Sequence, residues 1–573
     1  MDFPNPFNLA SYFLDHNLPA RADRPAVIYR DIQWSYADVY RAACRFAGAA
    51  AEAGVRQEDR VLVILPDCPA FVAAVMGIHK LGAVLTMVNP RLPAADLEYY
   101  FNYTKAPLAV LAGELVEPVA AMMPQLRYLR AVLVAEDGCS GRPLGKSRPL
   151  ASIAKSSERA TSVHVAQASA TAASARQTGE FRVGKARFLP WDETLAAQPP
   201  EFANAPTHPN DPAVWLFTSG TSGKPKAAMH VQHDFAFNTE HYAKQVLRLS
   251  ESDRTLSVPK LFFGYATGTN LWFPFAVGGT TVLFEEHATP EVMFDCIARH
   301  RPTFLTTVPT MINKMLSDEP SDECGGADRP PDVARAAAAT SADLSCIRLA
   351  VSAGEKLPAE LYRRWKERFG VEVLDGIGSA EMFHIYISNF MGDVRLGSLG
   401  REVPGYEARI VDAEGRDVNH GDIGTLWIRG DSMMTGYHGD PCQSRDRLRG
   451  DWLNTCDMFR QDEAGYFYYE GRADDLLKVC GIFVSPGEIE NCLLQHPAVK
   501  ECAVVGYEDS CGLVRARAFV VVRDGRRGDE QLTFELIEFT KSRIARYKAP
   551  SAVAYLDALP RNDRGKVERK KLG

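Results

Sequence analysis

Apolar and polar positions alternate in short blocks over the first 135 residues. The runs "DRVLVILP" and "GAVLTMVN" are rich in Val, Leu and Ile, and "CPAFVAAVMGIHKLG" between them has the spacing of a buried helix. Strands that alternate with helical segments are typical of βαβ units, whose strands lie parallel. The pattern therefore predicts an α/β domain with largely parallel sheets from Phe3 to about Ala135.

Two segments interrupt this pattern. Residues 136–188 are rich in Ala, Ser and basic residues and have no apolar periodicity, and residues 318–343 resemble them. Such segments bury too little apolar surface to offset the entropy of ordering. We expect two poorly ordered surface insertions that decorate a domain and do not divide it.

The apolar pattern returns at "DPAVWLFTSG" and changes character near "GYFYYEGRADDLLKVCG". Beyond that point, helical patterns in "EIENCLLQHP" and "FELIEFTKSRIARYK" enclose strand patterns in "ECAVVGYED" and "RARAFVVVRDG". This arrangement is typical of a small, separate α+β domain. We predict a large N-terminal α/β domain with parallel or mixed sheets, residues 1–472, and a small mobile C-terminal α+β lid, residues 473–573.

The composition narrows the class of protein. A chain of 573 residues, 46% hydrophobic and 24% charged, is expected to form roughly two to four globular domains. The net charge of −7 argues against nucleic acid as the main partner. The twelve cysteines contain no CxxC pair, which favours reduced thiols and a cytoplasmic protein. The N-terminus lacks a secretion signal, and the apolar window Val61–Val88 carries charged residues, so no membrane partner is expected.

The stretch "LFTSGTSGKPKAAMH", Leu216–His230, concentrates Gly, Ser, Thr and Lys. "VWLF" predicts a strand and "AAMHVQHDFAFNTEHYAKQVL" a helix, with Thr218 to Lys226 as the loop between them. Small residues let backbone N–H groups approach phosphate oxygens, and lysines add positive charge. We interpret the segment as a phosphate-binding loop, although it is not the GxxxxGK[ST] loop, because no Ser or Thr follows either lysine.

"TSGTSGKPK" resembles the phosphate loop of the adenylate-forming acyl-CoA synthetases. Further motifs of that superfamily follow in order: "SAGE", "DGIGSAE", "GSLGREVPGYEARIVD", "NTCDMFRQDEAGYFYYEGRADD" and "PRNDRGK". "KLFFGYATGTNLWFPF", "AEMFHIYISN" and "LLKVCGIFVSP" resemble the benzoate-CoA ligases and their aryl-acid relatives. The resemblance covers nearly the whole chain outside the two insertions.

This resemblance implies a ligase reaction in two steps, with ATP, Mg²⁺ and coenzyme A. ATP and a carboxylate form an acyl-adenylate and diphosphate, and the CoA thiol then displaces AMP. Carboxylate and α-phosphate are both anionic, so the site must supply cations and N–H donors. The implied catalytic residues are Lys566, which bridges carboxylate and α-phosphate, Glu381, which holds Mg²⁺, and Lys478, which contacts the adenylate or the acid.

The same resemblance assigns the remaining nucleotide contacts. Asp457 is expected to bind the ribose hydroxyls, with Arg472 as a second contact. Asp474 is the expected hinge, about which the C-terminal domain rotates to withdraw Lys566 and bring the loop from Lys478 to Gly481 to the thioester site. The residues that the resemblance assigns to cofactor binding are Thr218, Ser219, Gly220, Thr221, Ser222, Gly223, Lys224, Lys226, Gly354, Glu355, Asp375, Gly376, Asp457, Arg472 and Gly481.

A set of residues matches positions that line the acid pocket of benzoate-CoA ligases. Small Ala353 and Gly378 would leave a flat slot for a ring, with Tyr265 and Ile385 as walls. His384 either donates to the carboxylate or lies near a ring substituent. Benzoate or a small substituted benzoate is the expected acid.

The chain departs from the family pattern at Ala380, where a threonine hydroxyl usually helps to hold the α-phosphate, and at Asn562, where threonine is frequent. A hydrogen bond to a charged group contributes roughly 1.5–3 kcal/mol, so the change at 380 is expected to slow adenylation by about one to two orders of magnitude. Two alternatives stay open: a weakly active nucleotide- or acyl-binding homologue, and an enzyme that loads a carrier-protein phosphopantetheine. The sequence also leaves a homodimer open.

Overall fold

The structure is a computed structural model of the chain. It describes residues 1–135, 180–219, 224–317, 343–355, 357–472, 477–479, 482–484, 486–508, 514–523, 526, 528–561 and 567–572. These residues belong to two compact units. The first contains Met1–Thr306, Ser379–His384 and Asp431–Ser444, and the second contains Thr307–Gly378, Ile385–Gly430 and Arg445–Gly573.

Short strands alternate with helices in the first unit, as the sequence pattern predicts. The strands are β1 (Pro25–Tyr29), β2 (Ile32–Ser35), β3 (Arg60–Ile64), β4 (Val84–Met87), β5 (Leu108–Ala112), β6 (Ala131–Ala135), β7 (Phe181–Val183), β8 (Ala186–Pro190), β9 (Pro212–Ser219), β10 (Pro225–Val231), β11 (Arg254–Ser257), β12 (Thr280–Leu283) and β13 (Phe304–Thr307). The α-helices are Leu9–Phe13, Leu18–Arg21, Tyr36–Glu52, Pro69–Lys80, Ala94–Thr104, Val116–Met122, Trp191–Ala196, Gln232–Asn238, Gly264–Thr267, Phe273–Val277 and Pro290–His300.

The second unit also combines strands and helices. Its strands are β14 (Leu349–Ser352), β15 (Val373–Gly378), β16 (Ile385–Ser388), β17 (Arg401–Glu402), β18 (Glu407–Val411), β19 (Gly424–Arg429), β21 (Leu448–Arg449), β22 (Trp452–Gln461), β23 (Phe467–Arg472), β24 (Leu477–Val479), β25 (Ile482–Val484), β26 (Val499–Glu508), β27 (Val514–Val522) and β28 (Ala552–Tyr555), while β20 (Gly436–Tyr437) belongs to the first unit. The helices are Pro309–Leu316, Ala359–Phe369, Pro486–Leu493 and Glu530–Lys541, and Pro441–Arg447 spans the boundary between the units.

One sheet of the first unit carries the phosphate-loop segment. Its strand order is β20-β10-β9-β4-β3-β5-β6-β8-β7. The central strands pair in parallel, and antiparallel strands complete both edges. Helix Pro69–Lys80, which connects the parallel strands β3 and β4, is buried along its whole length. The predicted βαβ arrangement is confirmed.

The segment after the phosphate loop corrects one prediction. "AAMHV" is not helical: β10 covers Pro225–Val231, and the helix begins only at Gln232. Strand β10 pairs with β9 on one side and β20 on the other, so its backbone groups are satisfied within the sheet. Sheet pairing here overrides the helix propensity of the two alanines.

The first predicted insertion is also shorter than expected at its C-terminal end. Residues 136–179 lie outside the described residues, but β7 and β8 occupy most of 181–190. Ala186 and Phe188 are buried against the core of the sheet. Residues 318–342 of the second predicted insertion likewise lie outside the described residues.

The C-terminal part of the second unit has its own core, which consists of residues from Leu477 onward. Helices Pro486–Leu493 and Glu530–Lys541 contribute Ile489, Leu493, Leu532 and Leu536 to it. The sheet beside these helices has the order β26-β27-β28. The predicted fold class, with a small C-terminal α+β domain, is confirmed, whereas the boundary at 472/473 stays a prediction. Within the described part of the chain, no helix has the length and apolar character that crossing a membrane requires.

Candidate active site

The phosphate-loop lysines sit on an antiparallel hairpin of the first unit. Thr218 of β9 lies opposite Lys226 of β10, and Ser219 opposite Pro225. Lys226 is buried, and its Nζ lies 3.0 Å from Asp440 Oδ2. Lys224 is exposed, with its Nζ 5.5 Å from the centre of the Tyr99 ring. Gly220, Thr221, Ser222 and Gly223 lie outside the described residues.

Helix Ala94–Thr104 braces this hairpin through two tyrosines. The Tyr99 hydroxyl donates to the Pro225 carbonyl at 2.7 Å. The Tyr103 hydroxyl donates to the His438 carbonyl at 2.7 Å and accepts from the Ala227 N–H at 3.2 Å. The backbone that presents both lysines is therefore fixed by side chains from a helix more than a hundred residues earlier.

Glu381 lies in a short 3₁₀ turn, Ala380–Met382, and is 6% exposed. Its Oε1 accepts a hydrogen bond of 2.6 Å from the hydroxyl of Tyr437, which lies on β20. The Met434 N–H donates to the Glu381 carbonyl at 2.8 Å, and the Ser432 hydroxyl to the Met382 carbonyl at 2.9 Å. The segment around β20 therefore holds both the side chain and the backbone of this carboxylate.

Glu381 suits a magnesium ion that is shared with a nucleotide. Mg²⁺ commonly binds through one or two carboxylates while keeping waters and phosphate oxygens as its other ligands. Over the described residues, no group of three or more His, Cys, Asp or Glu forms an all-protein metal site. A carboxylate accepts at both oxygens, so the bond from Tyr437 orients Glu381 without using its full capacity for a cation.

His384 lies within a ring of aromatic side chains in the same unit. Its ring centre is 4.8–5.5 Å from those of its aromatic neighbours, and the ring packs on Gly268, where a Cβ would lie 2.5 Å from Cδ2. His384 itself is 3% exposed. The aromatic neighbours are Tyr242, Tyr265, Phe273 and Phe383.

The hydrogen bonds of His384 define its tautomer. Its Nε2 lies 3.0 Å from the Tyr265 carbonyl, which only accepts, so Nε2 carries the proton. Nδ1 is buried and has no hydrogen-bond partner among the residues that the structure describes. Burial lowers the pKa of His384 to about 4, although the bond to Tyr265 acts in the opposite direction. At neutral pH the ring therefore presents an acceptor at Nδ1, and the expected donation to a carboxylate has no proton to supply it.

The other residues of the expected acid pocket belong to the second unit. Gly378 ends β15 and lies opposite Ile385 of β16 in their antiparallel pair. Ile385 is buried, and Ala353, which follows β14, is 4% exposed. Gly378 and Ile385 therefore lie on paired strands, and Ala353 directly follows β14, which pairs with β15.

The "SAGE" and "DGIG" motifs lie at the ends of the parallel strands β14 and β15. Gly354 has φ +90°, a conformation that glycine adopts without strain. The Thr310 hydroxyl donates to Glu355 Oε2 at 2.9 Å. Asp375 is buried and its Oδ2 accepts from the Leu357 N–H at 3.1 Å. A Cβ at Gly376 would lie 2.8 Å from the Ile387 carbonyl, so strand pairing itself requires this glycine.

Asp457 and Arg472 lie opposite each other on the antiparallel strands β22 and β23. Arg472 Nη1 is 3.5 Å from Asp457 Oδ1, with side chains 39% and 14% exposed. The Asp457 N–H donates to the Thr455 hydroxyl at 3.1 Å. The structure therefore brings together the two residues that are expected to contact ribose.

Four further expected site positions, besides residues 220–223 of the phosphate loop, cannot be placed. Asp474, Gly481 and Lys566 lie outside the described residues, and Lys478 is described only as part of β24. The residues on both sides of 562–566 are described: Arg561 and Val567 form a β-bridge. Arg561 Nη2 donates to Glu501 at 2.9 Å and Nη1 to the Thr310 hydroxyl at 3.2 Å, beside Glu355.

Comparison with known proteins identifies the family. The AMP-binding enzyme family matches residues 14–438, and its C-terminal domain matches residues 488–566. The chain belongs to the AMP-binding enzyme family. The expected membership of the adenylate-forming superfamily is confirmed, and with it the expectation of an enzyme, an AMP-forming acid–thiol ligase.

Within this family, several similar proteins span nearly the whole chain. A benzoate-CoA ligase of Thauera aromatica is 35% identical over 91% of this chain and 86% of its own length. A 4-hydroxybenzoate-CoA/benzoate-CoA ligase of Rhodopseudomonas palustris is 31% identical over 98% of this chain and 93% of its own length. The crystal structure of the anthranilate CoA ligase AuaEII with anthranoyl-AMP has a TM-score of 0.84 and 32% identity, and covers 100% of this chain and 97% of that one.

Sequence reasoning on this AMP-binding enzyme missed the partners of its charged site residues. Tyr437 and Asp440 contact Glu381 and Lys226, and both lie in "MTGYHGDP", where flanking glycines were the available signal. His230, whose Nε2 lies 2.7 Å from the Ala380 carbonyl, was read only as part of a helix. No local pattern reports a contact across 150 residues.

Proposed function

We propose that this chain is an ATP- and Mg²⁺-dependent aryl-carboxylate–CoA ligase that acts on benzoate or a small substituted benzoate. It forms an acyl-adenylate and diphosphate, then an acyl-CoA thioester and AMP. The observation that carries the proposal is similarity along almost the entire chain to ligases of benzoate, 4-hydroxybenzoate and anthranilate.

In the first step, the carboxylate attacks the α-phosphate of ATP. Mg²⁺, when bound, would supply positive charge that offsets the repulsion between these two anions. Glu381 would hold that ion, and Lys224 and Lys226 would bind the β- and γ-phosphates. Lys226 is paired with Asp440 at 3.0 Å, so it exchanges this partner for phosphate when ATP binds. Lys566 bridges the carboxylate oxygen and the α-phosphate, and Asp457 and Arg472 bind the ribose.

In this proposal the residues assigned to the aromatic ring of the acid are Tyr265 and His384 in the first unit and Ala353, Gly378 and Ile385 in the second. The buried acceptor at His384 Nδ1 suits a ring substituent that donates a hydrogen bond. A hydroxyl or amino group would satisfy this atom, whereas an unsubstituted ring would leave it unpaired. Hydroxy- and aminobenzoates therefore belong beside benzoate in the substrate test.

The second step is attack of a thiol on the adenylate. The small domain rotates about Asp474 to withdraw Lys566 and bring the loop from Lys478 to Gly481 to the thioester site. CoA is the proposed thiol, and a carrier-protein phosphopantetheine is the alternative because it ends in the same arm.

The test is AMP release from ATP with benzoate, hydroxybenzoates, aminobenzoates and short fatty acids, each with and without CoA. CoA-dependent AMP release with one or more aryl acids is the expected result. Release with a fatty acid alone would contradict the aryl assignment. If an aryl acid forms an adenylate that does not react with CoA, the carrier-protein thiol would be favoured.

Lys566→Ala tests the assignment of the two steps. The variant should lose adenylation but largely retain thioester formation from supplied acyl-adenylate. Lys571→Ala is the matched control, because Lys571 lies in the same tail, is exposed and pairs with Glu568. Equal loss of both steps in Lys566→Ala would contradict the role of this lysine.

A further inference from the structure

His230 and Asp234 form a buried pair that contacts the residue before Glu381. His230 is the second-to-last residue of β10, the strand that follows the phosphate loop, and Asp234 lies in the first turn of the next helix. His230 Nδ1 is 2.7 Å from Asp234 Oδ2, and Nε2 is 2.7 Å from the Ala380 carbonyl. Both side chains are at most 1% exposed. The pair therefore connects the phosphate-loop hairpin to the residue before Glu381.

Both ring nitrogens of His230 face oxygen atoms. The Ala380 carbonyl only accepts, so Nε2 carries a proton directed at it. A second proton must lie between Nδ1 and the Asp234 carboxylate, whichever of the two holds it. Asp234 also accepts from the Val231 N–H at 3.2 Å, which fixes the carboxylate relative to the end of the strand. The ring is held at both ends, and its donor at Nε2 is fixed in direction.

The Ala380 carbonyl belongs to the peptide group that joins Ala380 to Glu381. Holding this carbonyl fixes one side of Glu381, while Met434 and Tyr437 hold its own carbonyl and carboxylate. Misplacement of a catalytic group by about 1 Å can cost about 100-fold in rate. The His230 ring is buried, so losing its Nε2 proton removes the donor that the protein supplies to this carbonyl.

We propose that His230, oriented by Asp234, is a positioning residue that sets Glu381 for the Mg²⁺ of bound ATP. This inference rests on the proposed function only in the role of Glu381 and does not depend on the acid or the thiol. His230 does not touch the nucleotide in this proposal, and it acts through the backbone of residue 380.

Two isosteric variants separate the two hydrogen bonds of His230. Glutamine places its amide nitrogen near the position of Nε2, so His230→Gln keeps a donor for the Ala380 carbonyl. Asparagine places its amide nitrogen near Nδ1, so His230→Asn faces Asp234 and loses the bond to Ala380. His233→Asn is the matched control: His233 is on the same turn, 3.4 Å from Asp234, and is 20% exposed.

The experiment measures ATP binding by titration calorimetry with Mg²⁺ and with EDTA, without acid or CoA. We expect Mg²⁺ to strengthen ATP binding by the wild-type protein, His230→Gln and His233→Asn. In His230→Asn that enhancement should fall about tenfold or more, while binding in EDTA stays within about twofold. If His230→Asn does not fold, as judged by thermal unfolding, Asp234→Ala takes its place with the same expectation, because it removes the group that orients the ring.

Unchanged Mg²⁺ enhancement in His230→Asn, or an equal loss in His230→Gln, would overturn the positioning role. Equal weakening with and without Mg²⁺ would also overturn it, since that result means general distortion of the nucleotide site. Absence of any Mg²⁺ effect in the wild-type protein would remove the role of Glu381 and this inference with it. Failure of the ligase assay alone, with the binding pattern intact, would contradict the proposed acid or thiol and leave the positioning role supported.

Discussion

Glu381 and Asp457 are both acidic residues assigned to the nucleotide, but the protein fixes them in different ways. Glu381 is 6% exposed and takes a hydrogen bond from Tyr437, with neighbouring carbonyls held by other segments. Asp457 lies on a strand opposite Arg472. The Arg472 side chain is 39% exposed, and its Nη1 lies 3.5 Å from Asp457 Oδ1. The first carboxylate is oriented by buried hydrogen bonds, and the second by strand register and a loose ion pair.

The largest expected effect is at the buried carboxylate. Glu381→Gln keeps the size of the side chain and an acceptor for Tyr437 but removes the negative charge that we propose holds Mg²⁺. Adenylation, measured by diphosphate exchange into ATP, should fall about 100- to 1,000-fold. Glu367→Gln on an exposed helix position is the control. A loss below tenfold in Glu381→Gln would place the metal ligand elsewhere.

The burial of His384 should also make the free energy of unfolding depend on pH. The folded ring, with a pKa of about 4, resists protonation, whereas the unfolded ring titrates near 6.5. Acidification from pH 6.5 to 4 therefore favours the unfolded chain, and the stability is fully present only above pH 6.5. Between pH 7.5 and 4.5, wild-type protein should lose about 2–3 kcal/mol more unfolding free energy than His384→Gln.

Urea unfolding at the two pH values measures this difference. His79, whose pKa burial lowers to about 3, contributes with the same sign in both proteins and cancels. Parallel pH profiles for wild type and His384→Gln would mean that the ring is hydrated in solution.

A smaller effect is expected at the strand-borne carboxylate. Asp457→Ala removes the proposed hydrogen bonds between this carboxylate and the ribose, and a hydrogen bond to a charged group is worth roughly 1.5–3 kcal/mol. The KM for ATP should therefore rise about 10- to 100-fold, with little change in the Mg²⁺ dependence. A shift in Mg²⁺ dependence as large as that of Glu381→Gln would erase the distinction between the two carboxylates.

The smallest expected change is a gain. Ala380→Thr introduces the hydroxyl that the family usually has, and should raise the adenylation rate by about tenfold. The Ser379 hydroxyl is buried and has no hydrogen-bond partner in the described part of the chain. If Ala380→Thr changes nothing and Ser379→Ala slows adenylation, then the neighbouring hydroxyl already serves the α-phosphate.

The sequence was sufficient for features that repeat locally. Alternating apolar runs predicted the parallel units around β3 and β4, and the motif order predicted the family. It failed at "AAMHV", where alanines suggested a helix, because pairing with β20 comes from a segment about 200 residues later. A strand buried between two partners has no amphipathic period to reveal it.

The candidate site shows the same limit. Motifs located Glu381, Asp457 and Arg472, since each lies in a characteristic local string. They could not reveal that Tyr437 contacts the Glu381 carboxylate and His230 the Ala380 carbonyl. Nor could they reveal that His384 donates its Nε2 proton to the Tyr265 carbonyl. Proton positions and long-range hydrogen bonds depend on the folded arrangement.

The backbone at Phe383 links Glu381 to His384. Phe383 has φ +65°, a conformation that costs a bulky residue about 1–3 kcal/mol, and its ring is anchored against Phe235 and Trp272. The anchored ring fixes the turn between the Glu381 carboxylate and the His384 imidazole. For engineering of acid specificity, residues 381–384 should therefore be transferred as one unit. If His384 were grafted without Phe383 and its two aromatic neighbours, both the Glu381 carboxylate and the His384 imidazole would be displaced.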